Sequence, residues 1–177
     1  MYWKKWYREC VLCPRECRAD RLNGGKGFCG QTAELRVARA ALHFWEEPCI
    51  SGTRGSGTVF FTGCHLGCIF CQNHQISQEG YGESISVTRL AEIFMELQEE
   101  GAHNINLVSA SHYTPQIAEA LRIARKKGLA IPVVYNTSGF EKVDTLKLLD
   151  GWVDIYLTDF KFMDPALSKK YAYEEGY

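Results

Sequence analysis

The sequence predicts an α/β fold. A parallel sheet covered by helices forms part of a (β/α) barrel, truncated after its fourth strand, with a small cysteine-rich metal-binding module in front. Three observations predict it. Short apolar runs of β type alternate with helix-period segments from about residue 58 onward. Seven of the eight cysteines fall into two tight groups. The chain stops at Tyr177, shortly after the fourth apolar run. A complete barrel of this kind takes roughly 250 residues, so a fragment is expected.

Residues 1–50 read as the module. They are rich in Cys, Arg and Gly, and Asn23-Gly24-Gly25-Lys26-Gly27 is a turn sequence. Residues 51–177 read as the core domain, entered through a Gly- and Ser-rich linker over 51–57. The first strand is expected over 58–62, followed by a cysteine loop to about Ser77. Leu90, Ile93, Phe94 and Leu97 recur at helical spacing, and Gly101 ends that helix. The second strand is expected over 105–108. Thr114-Pro115 opens the next helix, whose face is Ile117, Leu121 and Ala124. Lys126-Lys127-Gly128 gives it a basic last turn and a stop. The third strand is expected over 131–135, with Pro132 near its start, where a missing N–H is tolerated. Val143, Leu146 and Leu149 mark a third helix, and 153–157 the fourth strand.

Composition narrows the function classes. A formal net charge of −1 supplies no global field for nucleic acid or an acidic membrane. No apolar run reaches the roughly 20 residues of a membrane helix. The first residues, Met1-Tyr2-Trp3-Lys4-Lys5-Trp6-Tyr7, do not resemble an export signal. The expected location is the cytoplasm, where clustered thiols bind metal more often than they form disulfides. The N-terminal rings are expected to pack on the domain rather than to contact nucleic acid. Cys49, beside Ile50, reads as a small buried hydrophobe.

The strongest signal is Gly63-Cys64-His65-Leu66-Gly67-Cys68-Ile69-Phe70-Cys71-Gln72-Asn73, with C-x3-C-x2-C spacing directly after a strand. Such thiolates can wrap a compact 4Fe–4S cluster. Three ligands leave one iron open, which suits a cluster that binds substrate. Zinc prefers four ligands, which His65 or His74 could complete. The second group, Cys10, Cys13, Cys17 and Cys29, is spaced C-x2-C-x3-C-x11-C. It fits a closed site holding zinc or a second iron–sulfur cluster. Each expected strand also ends in polar or ligand-capable residues: Cys64, Ser109 to His112, Asn136 to Gly139, and Asp159 to Lys161. In parallel barrels such endings share one rim. His112 reads either as a surface residue or as a substrate-side acid or base.

The three-cysteine loop resembles the cluster motif of radical S-adenosylmethionine (SAM) enzymes, including the aromatic Phe70 before the third cysteine. Phe60-Phe61-Thr62-Gly63-Cys64, Cys71-Gln72-Asn73, Tyr135-Asn136-Thr137-Ser138-Gly139 and Asp154-Ile155-Tyr156-Leu157-Thr158-Asp159-Phe160-Lys161 resemble the pyruvate formate-lyase activating enzyme-like group with an N-terminal cysteine module. The resemblance implies an oxidoreductase in a partial barrel of the radical SAM type. Its 4Fe–4S cluster would cleave SAM reductively to a 5′-deoxyadenosyl radical, in a glycyl-radical-enzyme-activating-like role. It implies an electron donor such as flavodoxin or ferredoxin, and a protein substrate. It implies that Lys161 pairs with the SAM carboxylate, and that Asp159 lies near the ribose or a monovalent cation. Asn136 and Thr137 would lie near the methionyl end of SAM or that cation. Many family members end the second strand in Gly-Gly-Glu, and here Val108-Ser109-Ala110-Ser111-His112 lacks that acid. The alternative functions are a non-catalytic zinc or iron–sulfur module and an inactive truncated fragment.

Overall fold

A computed structural model describes residues 2–177. Its strands are β1 (Arg36–His43), β2 (Ser56–Phe61), β3 (Glu83–Ser84), β4 (Ile105–Val108), β5 (Val133–Thr137) and β6 (Ile155–Thr158). Its helices are α1 (Pro48–Ser51), α2 (His74–Ser77), α3 (Val87–Glu99), α4 (Thr114–Lys126), α5 (Val143–Leu146) and α6 (Pro165–Ala172). The strands form one sheet in the order β3-β1-β2-β4-β5-β6. β2, β4, β5 and β6 run parallel, whereas β1 is antiparallel to both β2 and β3.

This corrects the expected fold class. The sheet is not a parallel set truncated after a fourth strand. It has six strands of mixed direction. The two additional strands lack the signals that mark the others. β1 shifts register between Val37 and Arg39, and a bulge breaks the alternation of inward and outward residues. β3 is two exposed residues long and has no apolar face to read. β2 also begins inside the expected linker, with Ser56 and Gly57 buried. β5 begins after Pro132, whose carbonyl accepts the Ile105 N–H at 2.9 Å.

The core lies between the sheet and the pair α3 and α4. Leu90, Phe94 and Leu97 of α3 and Ile117, Leu121 and Ala124 of α4 pack against Val59, Phe61, Ile105, Leu107, Val133 and Tyr135. Ser86 caps α3 through its hydroxyl, which accepts the Arg89 N–H at 3.0 Å. Side chains alternate across a strand, so the intervening residues form the other face. That face is mixed: Thr58, Asn106 and Val134 are buried there in one register row. The segment before α1 closes it, because Glu46 accepts hydrogen bonds from Asn106 at 2.9 Å and Asn136 at 3.0 Å.

Residues 2–35 wrap over the end of the sheet. Trp3 and Tyr7 meet edge to face at 5.8 Å, and the Tyr7 hydroxyl donates to Gln116 of α4 at 2.7 Å. Cys49 is exposed, not a buried hydrophobe, because it lies on the outer side of the single-turn α1. Among the described residues no helix is long and apolar enough to cross a membrane.

Gly82 joins β3 to the rest of the sheet. Its φ is +142°, and a Cβ there would stand 2.0 Å from the Thr62 hydroxyl and 3.0 Å from the Val37 backbone. Gly82→Ala is therefore expected to lower unfolding free energy by about 2 kcal/mol, measured by denaturant titration. An unchanged midpoint would contradict this packing.

Candidate functional site

The parallel strands deliver their ends to one rim, and the loop after β2 is its centre. Gly63 opens that loop at φ +86°, and a Cβ there would lie 2.5 Å from Gln31 Cγ and 2.6 Å from the Cys29 carbonyl oxygen. Only glycine allows this approach without displacing either. The turn is pinned at several points. Leu66 N–H points to Cys64 Sγ at 3.4 Å, and Gln78 donates to the Leu66 carbonyl at 2.9 Å. The N–H groups of Gly67 and Ile69 reach the carbonyls of Ala172 and Tyr171 at 3.1 and 3.0 Å. The end of α6 thus braces the loop.

Cys64, Cys68 and Cys71 share one apolar cluster with Leu66, Phe140, Phe162, Ala172 and Tyr177. Burial pushes the Cys64 thiol up to about 12, and the neighbouring Cys68 and Cys71 sulfurs add to the shift. Burial also raises Cys68, against a lowering influence from Lys161. Lys161 bonds Asp159 at 2.5 Å, so this pair stands beside Cys68. Phe70 is exposed, with its ring 6.1 Å from Phe162. Cys71 Sγ lies 3.2 Å from the Ser77 hydroxyl.

The other residues singled out in the sequence divide. The Asn136 amide is committed to Glu46, and the Thr137 hydroxyl to Glu141. His65 is buried, 3.2 Å from the Ser138 hydroxyl, and burial lowers its pKa to about 4. His74 is exposed and paired with Glu79. His112 is not a surface residue, being 1% exposed. Its Nε2 lies 2.8 Å from the Thr62 carbonyl oxygen, which can only accept, so Nε2 carries the proton. Burial and the Arg21 charge lower its pKa to about 3, so at neutral pH it is an uncharged strut under the loop.

The N-terminal group lies against this rim. Cys10, Cys13 and Cys29 are buried and Cys17 is exposed. Arg15 ties the module to the loop, donating to the His65 carbonyl at 3.0 Å and pairing with Glu174 at 2.9 Å.

Glu141 is the residue that the strand-end pattern misses. Its Oε1 accepts from Ser111 at 2.7 Å and from Thr137. Its Oε2 is sealed from solvent with no partner among the described residues. Burial raises its pKa from 4.5 to about 7, against the lowering effect of the two hydroxyls. The rim does contain a carboxylate, but after β5 rather than after β4. Extending the reading two residues past Gly139 would have found it.

Among the described residues no three His, Cys, Asp or Glu side chains stand close enough to hold a single metal ion. An iron–sulfur cluster is wider than one ion and needs its sulfurs further apart. The chemistry of the donor set fits such a cluster: three soft ligands after one strand, packed partly buried against one apolar cluster. Cys64, Cys68 and Cys71 would hold it, and Lys161, Asp159 and Glu141 place charge around it.

The raised acid makes a signed prediction. Folded protein retains the Glu141 proton between pH 4.5 and about 7, whereas unfolded protein loses it. Stability should therefore fall as pH rises through that window. Glu141→Gln removes this contribution, so wild type should lose up to about 3 kcal/mol relative to the variant between pH 4.5 and 8. Cys64 and Tyr135 are the titratable groups that feel this charge. Denaturant titrations of both metal-free proteins across that range check it, and parallel pH profiles would contradict it.

Comparison with known proteins bears on the family. Residues 58–175 match the model of the Radical SAM superfamily. The chain is 30% identical to an uncharacterized protein of Methanocaldococcus jannaschii over 98% of its own length. It covers 52% of that protein, so it spans about half the length of the curated relative it matches. A family match that runs from β2 through α6 covers the cysteine loop and every parallel strand, and the chain belongs to the radical SAM superfamily.

Proposed function

We propose that Cys64, Cys68 and Cys71 hold a 4Fe–4S cluster whose open iron binds SAM. The observation that supports this most is the packing of these cysteines into one apolar cluster beside the Lys161–Asp159 pair, within a chain of this superfamily. When bound, the cluster would supply the electron that cleaves SAM to methionine and a 5′-deoxyadenosyl radical. The chain's own residues provide the setting. Lys161 offers an ammonium to the SAM carboxylate, and Asp159 holds that ammonium in place. Phe162 packs against the cysteines, and the exposed Phe70 ring stands 6.1 Å from it. Glu141 brings a buried acid with one unpartnered oxygen, which would give up its proton when the sulfonium or ammonium of SAM stands against it. Asn136 is held by Glu46, so its amide is tied to the segment before α1 instead of reaching freely for a ligand.

The finer reading is an activating-enzyme-like role toward a protein partner, with flavodoxin or ferredoxin as the electron donor. It rests on the resemblance of the strand-end sequences. A second reading has one observation in its favour: among the described residues no three metal-ligating side chains converge on one ion. On that reading the chain is a non-catalytic module or an inactive fragment.

Electron paramagnetic resonance of anaerobically reconstituted, reduced protein separates the two. A 4Fe–4S signal that changes on adding SAM and disappears in Cys64→Ala supports catalysis. Iron-free folded protein, or a signal indifferent to SAM, sinks it in favour of the second reading. Glu141→Gln should retain the cluster yet weaken SAM binding roughly tenfold or more, read by equilibrium dialysis. Unchanged binding would remove Glu141 from the site while leaving the cluster assignment standing.

A further inference from the structure

Arg21 is among the largest fully buried side chains, at 1% exposure. Guanidinium does not shed its proton in proteins, and a buried charge must be compensated. Among the described residues no carboxylate pairs with it. It donates to the carbonyls of Gln31 at 3.0 Å, Thr32 at 2.7 Å and His112 at 2.8 Å. The rings of Tyr7 and Tyr113 stand 4.6 and 5.6 Å from its central carbon. Carbonyl dipoles and ring faces soften the charge but do not cancel it. The remaining partner is a sulfur: Nη1 lies 3.5 Å from Cys10 Sγ.

The other thiols of the N-terminal group gather around the same place. A Cβ on Gly27 would stand 2.8 Å from Cys17 Sγ and 3.6 Å from Cys29 Sγ, so both sulfurs close over a bare Cα. The chain between Cys13 and Arg18 reverses sharply. Glu16 N–H bonds the Cys13 carbonyl at 3.1 Å, and Arg18 N–H returns to the Cys10 carbonyl at 2.9 Å. Glu16 and Arg18, on either side of Cys17, have φ values of +41° and +53°. Left-handed non-glycine residues cost stability, and this turn has no helix or strand to offset them. Neutral thiols explain neither feature. Cys10, Cys13, Cys17 and Cys29 all lie near enough to act on one another electrostatically.

We propose that Cys10, Cys13, Cys17 and Cys29 bind a soft metal centre as thiolates, and that Arg21 is the buried counter-cation of that anionic centre. Four thiolates around a zinc ion, or around an iron–sulfur cluster, carry about two net negative charges, and Arg21 offsets part of this. As placed, the sulfurs do not converge on one ion. Closing the site takes side-chain rotation, for which the exposed Cys17 has room. This centre is independent of the one proposed at Cys64, Cys68 and Cys71.

The test uses the full chain carrying Cys64→Ala, Cys68→Ala and Cys71→Ala, so that the rim no longer competes. It is produced once with zinc and once with iron and sulfide, and metal and sulfide per chain are measured. Either about one zinc per chain or a stoichiometric iron–sulfur centre is expected, and the two preparations show which metal the site takes. Adding Cys17→Ser should abolish it. In chelator competition Arg21→Met should weaken metal binding by about 10- to 100-fold, and Arg21→Lys, which keeps the charge, by less. If Arg21→Met does not fold by circular dichroism, Arg21→Lys decides: retained metal supports the counter-cation, and loss of metal from a folded protein overturns it. A folded triple variant without metal in both preparations overturns the site. A folded Arg21→Met that binds as tightly as its parent overturns the role of Arg21.

Discussion

A single buried guanidinium joins the two halves of this molecule. Arg21 draws together the carbonyls of Gln31 and Thr32 in the N-terminal segment and the carbonyl of His112 beyond β4. His112 in turn meets the Thr62 carbonyl, one residue before Gly63. Gly63 then lies against the Cys29 carbonyl. The path runs from one cysteine group to the other through buried polar contacts, each short of alternatives in a dry interior. The cysteine-rich segment is consequently part of the rim, and its position depends on a charge that must find compensation there.

The sheet places its two acids differently. Glu46 lies over the face opposite α3 and α4, where burial raises its pKa and the amides of Asn106 and Asn136 satisfy it. Glu141 lies at the strand ends with one oxygen unsatisfied. An unpartnered buried acceptor costs on the order of 1–3 kcal/mol. The first acid closes structure, and the second keeps one oxygen unpartnered at the rim. The three thiols of the rim and the Lys161–Asp159 pair lie at the same end of the sheet.

Much of this was legible in the sequence. The runs that became β2, β4, β5 and β6, and the faces of α3 and α4, followed from apolar periodicity, because burial on one side imposes it. The cysteine loop was legible from spacing alone, since three thiols so close in sequence must share space. β1 was hidden by its bulge, and β3 by its length. Those two strands turned an expected truncated parallel sheet into a mixed sheet of six. The fate of Asn136, the burial of His112 and the orphan oxygen of Glu141 depend on contacts across 90, 50 and 30 residues. Local pattern does not encode such contacts. Arg21 reads in sequence as one arginine among many near the cysteines, and only its burial gives it meaning.

In the proposed function the cysteines after β2 bind a cluster with one iron left open for SAM. Mössbauer spectroscopy of protein reconstituted with isotopically enriched iron addresses it most directly, because each iron contributes its own absorption. Adding SAM should shift one iron site away from the others while the rest stay unchanged. Spectra that are identical with and without SAM, from a sample with a full complement of iron and sulfide, would contradict it.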